Sequence, residues 1–231
     1  MDVIRQGSGA HCIVAVHGIQ GTRAVWGPLA GLMDHEACFV LPNLRGRGAA
    51  MRGTQAADYR LEAFAAELAQ AIDASTQGEP YCLAGWSMGV TVLLATLPLL
   101  AHRPERLILM SGSPALRDLR WFQARDGAEL QAEIAAREAR LGLVDAADHD
   151  AVAWTWQAIR DTDQRALLKS IDMPTLIVHG AADNESPVEH AHRLLEGLPR
   201  ARLEIISGAG HGIPTENTRE VADAMRRFLS A

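Results

Sequence analysis

Three side chains, arriving in the order serine, aspartate, histidine, carry the chemistry this sequence could do. The apolar run Tyr81-Cys82-Leu83-Ala84 breaks at Gly85-Trp86-Ser87-Met88-Gly89 and passes straight into an apolar helical pattern, which is how a chain holds a serine hydroxyl at the tip of a strand. A serine is a weak nucleophile near neutral pH and needs an adjacent base. Gly85 and Gly89 remove side chains that would collide where the helix folds back, and Ser87 is expected at strained backbone angles. After the run Leu176-Ile177-Val178 comes His179-Gly180-Ala181-Ala182-Asp183. That places a carboxylate at a strand's carboxyl end, where open parallel sheets gather their functional groups. After Leu203-Glu204-Ile205-Ile206 comes Ser207-Gly208-Ala209-Gly210-His211, a glycine-rich loop from which an imidazole can project over the sheet edge. Asp183 is the candidate acid and His211 the candidate base. A lone aspartate or histidine in a loop is ordinarily solvated or structural; the ordered combination with Ser87 gives these two their functional reading.

A serine attacking a carbonyl also needs two amide hydrogens aimed where the oxyanion develops. Met88, next after the serine, is the candidate for one. Ile19, in the loop His17-Gly18-Ile19-Gln20-Gly21 that follows the first strand-like run, is the candidate for the other through its backbone amide. His17 reads as a loop-bonding residue and not as a second base. Trp86, beside the serine, is the best-placed substrate contact, with Trp121 and Trp154 as further candidates. For the tryptophans beyond position 115, and for Phe122, a place in a local core is an equal reading. Arg120 and Arg125 could bind a substrate carboxylate, although exposed helix charge is the default. His190 and His192 stand two apart on a helical pattern, face different directions and read as surface residues. No metal and no organic cofactor is expected.

These groups need a scaffold. Short apolar runs at Ile13 to Val16, Cys38 to Leu41, Tyr81 to Ala84, Leu107 to Met110, Thr175 to Val178 and Leu203 to Ile206 predict strands. Between them, Val25, Leu29, Leu32 and Met33 share one helical face, as do Leu61, Phe64, Leu68 and Ile72, and later Val221, Met225, Phe228 and Leu229. This alternation predicts an α/β fold: a mostly parallel twisted sheet with helices on both faces. It stops between about residues 115 and 170, where spacing predicts helices through Glu129 to Leu143 and Val152 to Leu168, broken at Gly142 and the polar run Asp145 to Asp150. That stretch is a helical insertion. Pro98 predicts a kink or early stop near Leu97 in the helix that follows Ser87.

At 231 residues and 48% hydrophobic content the chain suits a single domain over 1–231. A net charge of -6 and the lack of a Lys/Arg run give no footprint for nucleic acid or a membrane surface. Cys12, Cys38 and Cys82 are odd in number and lie in or beside apolar runs, so buried reduced thiols are expected. The start Met1-Asp2-Val3-Ile4-Arg5 has no signal-peptide core, and no apolar stretch reaches the ~18 residues that span a bilayer. A cytoplasmic protein with a small-molecule, ester-like partner is the expectation. Oligomeric state is not legible.

Five motifs stand in order: His17-Gly18, Pro42-Asn43-Leu44-Arg45-Gly46-Arg47-Gly48, Gly85-x-Ser87-x-Gly89, His179-Gly180-x-x-Asp183 and Gly210-His211. Together they resemble the α/β-hydrolase superfamily over nearly the whole chain, in its lid-bearing branch of small esterases and carbon-carbon bond hydrolases. The serine segment is also similar to that of the pimeloyl-ester carboxylesterases. Val90 stands where many relatives have another glycine and Asn43 where an aspartate is frequent, departures that touch packing more than chemistry. The resemblance implies an α/β-hydrolase fold, a Ser87-His211-Asp183 triad and a short lid formed by the insertion. It implies a serine esterase acting on a small carboxylic ester, lactone or thioester through an acyl-enzyme. Carbon-carbon cleavage of a diketone-like substrate is the alternative, and a small-molecule receptor with slow or incidental hydrolysis is the reading from another class.

Overall fold

The computed structural model describes residues 1–143 and 145–231. Its strands are β1 (Asp2–Gln6), β2 (His11–Val16), β3 (Ala37–Asn43), β4 (Cys82–Trp86), β5 (Arg106–Met110), β6 (Thr175–Gly180) and β7 (Ala201–Ile206). Its helices are α1 (Gly27–Leu32), α2 (Leu61–Thr76), α3 (Met88–Thr96), α4 (Gly127–Leu141), α5 (His149–Ile159), α6 (Arg165–Leu168), α7 (Glu189–Gly197), α8 (Ile213–Glu216) and α9 (Thr218–Leu229). The strands form one sheet in the order β1-β3-β2-β4-β5-β6-β7. Every neighbouring pair is parallel except β1 with β3. All six expected strands are present. β1 is additional: its side chains are half-buried or exposed, so this edge strand carries no apolar run that would mark it in the sequence.

Side chains of a strand point alternately to the two faces, and both faces here are covered. Val14, Val16, Leu83, Leu107, Leu109 and Ile177 pack with Phe64, Leu68 and Ile72 of α2, the apolar residues of α3, and Leu194 of α7. Ile13, Ala15, Ala84, Ile108, Met110 and Leu176 pack with Leu29 of α1 and Val221, Met225 and Phe228 of α9. The α9 residues recur at i, i+4 and i+7, so a single stripe of that helix meets the sheet.

Three local readings change. Leu32 is 40% exposed because the chain enters α1 through a 3-10 turn at Arg23–Trp26, which rotates the buried stripe onto Trp26, Leu29, Ala30 and Met33. The helical pattern from Val152 to Leu168 is two helices, because Gln164 donates its amide to the Pro114 carbonyl at 2.7 Å and Asp163 bridges to Ala115. Of the three free cysteines only Cys82 is fully buried; Cys12 and Cys38 are half-buried neighbours on β2 and β3. At Pro98, α3 stops at Thr96 and gives way to a 3-10 turn over Leu97–Leu99.

The segment between β5 and β6 holds α4, α5 and α6. Gly142 ends α4 at φ 59, the left-handed cap position that disfavours a Cβ. Asp148 caps α5 by accepting the Ala151 amide at 2.7 Å. Among the described residues no helix is long and apolar enough to cross a membrane.

Candidate active site

Ser87 occupies the turn between β4 and α3 at φ 57 and ψ -123. Such backbone angles cost a non-glycine residue about 1–3 kcal/mol and persist only where the surroundings enforce them. Two hydrogen bonds do so: the Ser87 amide donates to the Met110 carbonyl at 2.9 Å, and the Ser87 carbonyl accepts from the Val90 amide at 3.0 Å. Glycines make room for the turn. A Cβ on Gly89 would lie 2.2 Å from the Val16 carbonyl oxygen, and one on Gly85 would lie 2.8 Å from the Gly89 backbone.

The loop after β7 brings His211 against this serine, with Nε2 2.9 Å from Ser87 Oγ. On its other side, Nδ1 stands 2.9 and 3.0 Å from the two carboxylate oxygens of Asp183, in the loop after β6. A carboxylate only accepts, so Nδ1 carries the hydrogen and Nε2 is left to accept the serine hydroxyl. Asp183 is itself fixed, since its Oδ1 accepts the amides of Glu185 at 2.9 Å and Ser186 at 2.8 Å. Burial pushes its carboxyl pKa up, but the hydrogen bond and charge of His211 and the Ser186 amide outweigh that, and the net shift is downward. Trp86 anchors the same histidine by donating Nε1–H to the His211 carbonyl at 2.9 Å, its ring 5.2 Å from the imidazole.

The loop after β2 comes close enough to Ser87 to require glycine: a Cβ on Gly18 would lie 2.9 Å from the Trp86 ring and 3.2 Å from Ser87 Cβ. His17 is fully buried. Its Nε2 accepts the Leu44 amide at 3.0 Å, which leaves Nδ1–H to donate to the Gly18 carbonyl at 2.8 Å. That carbonyl shares a peptide plane with the Ile19 amide. In a trans peptide the two point oppositely, so His17 turns the Ile19 N–H to the other side. Burial, aided by the charge of Arg47, lowers the His17 pKa to about 3, which keeps the ring neutral and this bonding intact. Arg47 is also fully buried, and donates to the Ile19 carbonyl at 2.5 Å and to Thr155 Oγ1 of α5 at 3.0 Å. Met88 is the first residue of α3, where an amide has no helical acceptor.

Ser87 is only 1% exposed. Its neighbours Trp86 and His211, though not Ser87 itself, line a cavity of about 490 Å³ whose described walls also include Val25, Leu141, Leu143 and the carboxylates Asp145 and Glu216. Of the three tryptophans expected at substrate, Trp86 alone is in this wall. Trp121 is buried against Trp156 and donates its indole N–H to the Glu185 carbonyl at 3.0 Å. Trp154 lies against Tyr59 in a separate cavity of about 410 Å³ beside Arg52 and His149. Arg120 and Arg125 are exposed, and Arg120 is bonded to the carbonyls of Arg117 and Leu119. His190, expected at the surface, is buried with Nδ1 2.7 Å from Ser113 Oγ, whereas His192 is exposed. It faces inward because α7 lays Ala191 and Leu194 on the sheet.

Four side chains around the site escape a reading of the sequence. Gln20, Arg47, Arg137 and Glu185 form buried or half-buried hydrogen bonds around the loops. Arg137 had a signal: with Leu130 and Ile134 it completes an i, i+4, i+7 stripe, and all three are buried.

Comparison with known proteins covers the chain almost end to end. A family model described as "Alpha/beta hydrolase family" matches residues 13–224. The pimeloyl-[acyl-carrier protein] methyl ester esterase of Aromatoleum aromaticum is 25% identical over 234 residues, covering 86% of this chain and 90% of that protein. The AB hydrolase superfamily protein YisY of Bacillus subtilis is 32% identical over 74 residues, 32% of this chain and 28% of YisY. The chain thus spans less than a third of YisY's length in that match. Among solved structures, the esterase EaEST from Exiguobacterium antarcticum superposes with a TM-score of 0.82 at 20% identity, covering 99% of this chain and 95% of the other.

Proposed function

Because this chain belongs to the alpha/beta hydrolase family, we propose that it is a serine hydrolase that cleaves a small carboxylic ester, lactone or thioester through an acyl-enzyme on Ser87. The observation that carries this reading is the continuous relay from Ser87 Oγ through His211, 2.9 Å on the serine side and 2.9 Å on the Asp183 side. His211 Nε2 takes the hydroxyl proton as Oγ attacks the carbonyl carbon, and Asp183 holds Nδ1–H and balances the imidazolium. The amides of Ile19 and Met88 receive the oxyanion. His211 then gives the proton to the leaving alcohol or thiol. Water, activated by the same nitrogen, releases the acid and restores Ser87.

The apolar portion of the adjoining cavity, from Val25, Trp86, Leu141 and Leu143, suits an uncharged acyl or alcohol group more than a carboxylate. The helices at about 115–170 act as a lid over it. A methyl ester esterase among the relatives that span most of the chain favours esters over carbon-carbon bonds. The test is steady-state hydrolysis of p-nitrophenyl esters from acetate to octanoate, with Ser87→Ala prepared identically. Multiple turnover that depends on acyl length and falls roughly 10⁴-fold or more in the variant is expected. Equal activity of the two proteins would remove Ser87 from the mechanism.

A further inference from the structure

The loop that presents Ile19 is bonded to the insertion at consecutive residues. The Gln20 carbonyl accepts the Ala147 amide at 2.9 Å, Gly21 bridges to Ala146, and Thr22 Oγ1 donates to Asp145 at 2.6 Å. The Gln20 side chain enters α4, donating to the Ile134 carbonyl at 3.0 Å and accepting from Arg137 Nη1 at 2.5 Å. The same guanidinium donates through Nε to Glu185 at 2.9 Å, and Arg140 grips the other Glu185 oxygen at 2.7 Å. Glu185 belongs to the acid loop, where its own amide holds Asp183. One side chain from α4 therefore ties the Ile19 loop to the Asp183 loop.

We propose that Arg137 is a positioning residue through which the insertion sets the geometry of both catalytic loops, so that the insertion controls turnover and not only access. This rests on the hydrolase reading given above. Arg137 is 5% exposed and is absent from the described walls of the cavity at His211, so its side chain reaches the site through the two loops and not through that lining. Its loss strands the Gln20 oxygen and leaves Glu185 to the exposed Arg140 alone, loosening an oxyanion donor on one side and the triad acid on the other. An arrangement needed for the transition state and not for ground-state binding lowers kcat while KM stays put.

The test uses the full-length protein with Arg137→Met and Arg137→Lys. On p-nitrophenyl acetate, Arg137→Met is expected to lower kcat about 10- to 100-fold with KM within two-fold, and Arg137→Lys, which keeps one bond at a time, to fall between the two. A pure cover would instead raise KM for the long esters and leave kcat for acetate unchanged, which would overturn the proposal. Hydrogen exchange supplies a readout free of substrate. Amides in 17–22 and 183–186 should exchange at least ten-fold faster in Arg137→Met, with those of β4 and β5 unchanged; unaltered exchange in either loop overturns the proposal. If Arg137→Met exchanges globally and so fails to fold, the same two measurements on Arg137→Lys decide. Absence of ester turnover in the unmodified protein counts against the hydrolase reading alone, because exchange still decides the clamp.

Discussion

Two small substitutions probe the proposed triad and the turn that carries it. Replacing Asp183 by asparagine keeps its shape but adds an N–H donor beside His211 Nδ1, now 2.9 Å away. The ring would then favour hydrogen on Nε2, the atom that must accept from Ser87. Asp183→Asn is therefore expected to lower kcat by about 10³- to 10⁴-fold with little change in KM, read in the ester assay. Gly89→Ala acts through space: its Cβ would sit 2.2 Å from one backbone oxygen and 3.0 Å from another, neither of which can swing aside. A loss of about 2–3 kcal/mol in urea unfolding is expected, with slower labelling of Ser87 by a fluorophosphonate. The sequence disclosed these residues because each stands at a fixed offset from an apolar run. Gln20 and Glu185 were hidden, because a polar loop residue looks the same whether it meets water or a buried arginine.

Secondary structure was legible where one apolar stripe or run dominates, as in the inner strands and in α9. It was obscure where tertiary pairing does the work. β1 exists because β3 offers it a partner from Asp2 opposite Asn43 to Gln6 opposite Phe39, and the break between α5 and α6 exists because Gln164 bonds Pro114. The insertion combines both cases. Its glycine cap was readable, and Gly142 sits at φ 59 with nothing within 4 Å of an added Cβ. Gly142→Ala would thus be strained without a clash, at a cost of about 1 kcal/mol. For a chain of this length that lowers Tm by about 2–4 °C, and faster hydrogen exchange confined to the last turn of α4 should accompany it. Exchange spread across the sheet would place the cost elsewhere.

Stability across pH couples these loops to the whole chain. His17 and His179 are both buried with lowered pKa values, in each case mainly through burial. For His17 the folded value is about 3 against an ordinary 6.5, so between those limits the unfolded chain binds a proton that the folded chain refuses. Stability must rise with pH across that window, by up to about 1.4 kcal/mol per pH unit from this one group. Asp183 adds to the trend lower down: its carboxyl is depressed in the fold, so its contribution is complete above its ordinary 3.8 and is lost as pH falls through the lower folded value. Acid should therefore weaken the protein from about pH 6.5 downward, before carboxylates titrate. Urea midpoints measured from pH 4.5 to 7.5 should climb, and His17→Asn should flatten part of that climb while lowering stability at pH 7.5, where the Leu44 and Gly18 bonds are lost or weakened. A slope identical in the variant would mean that His17 accepts its proton as readily in the folded chain as in the unfolded one, against the lowered value that burial gives it.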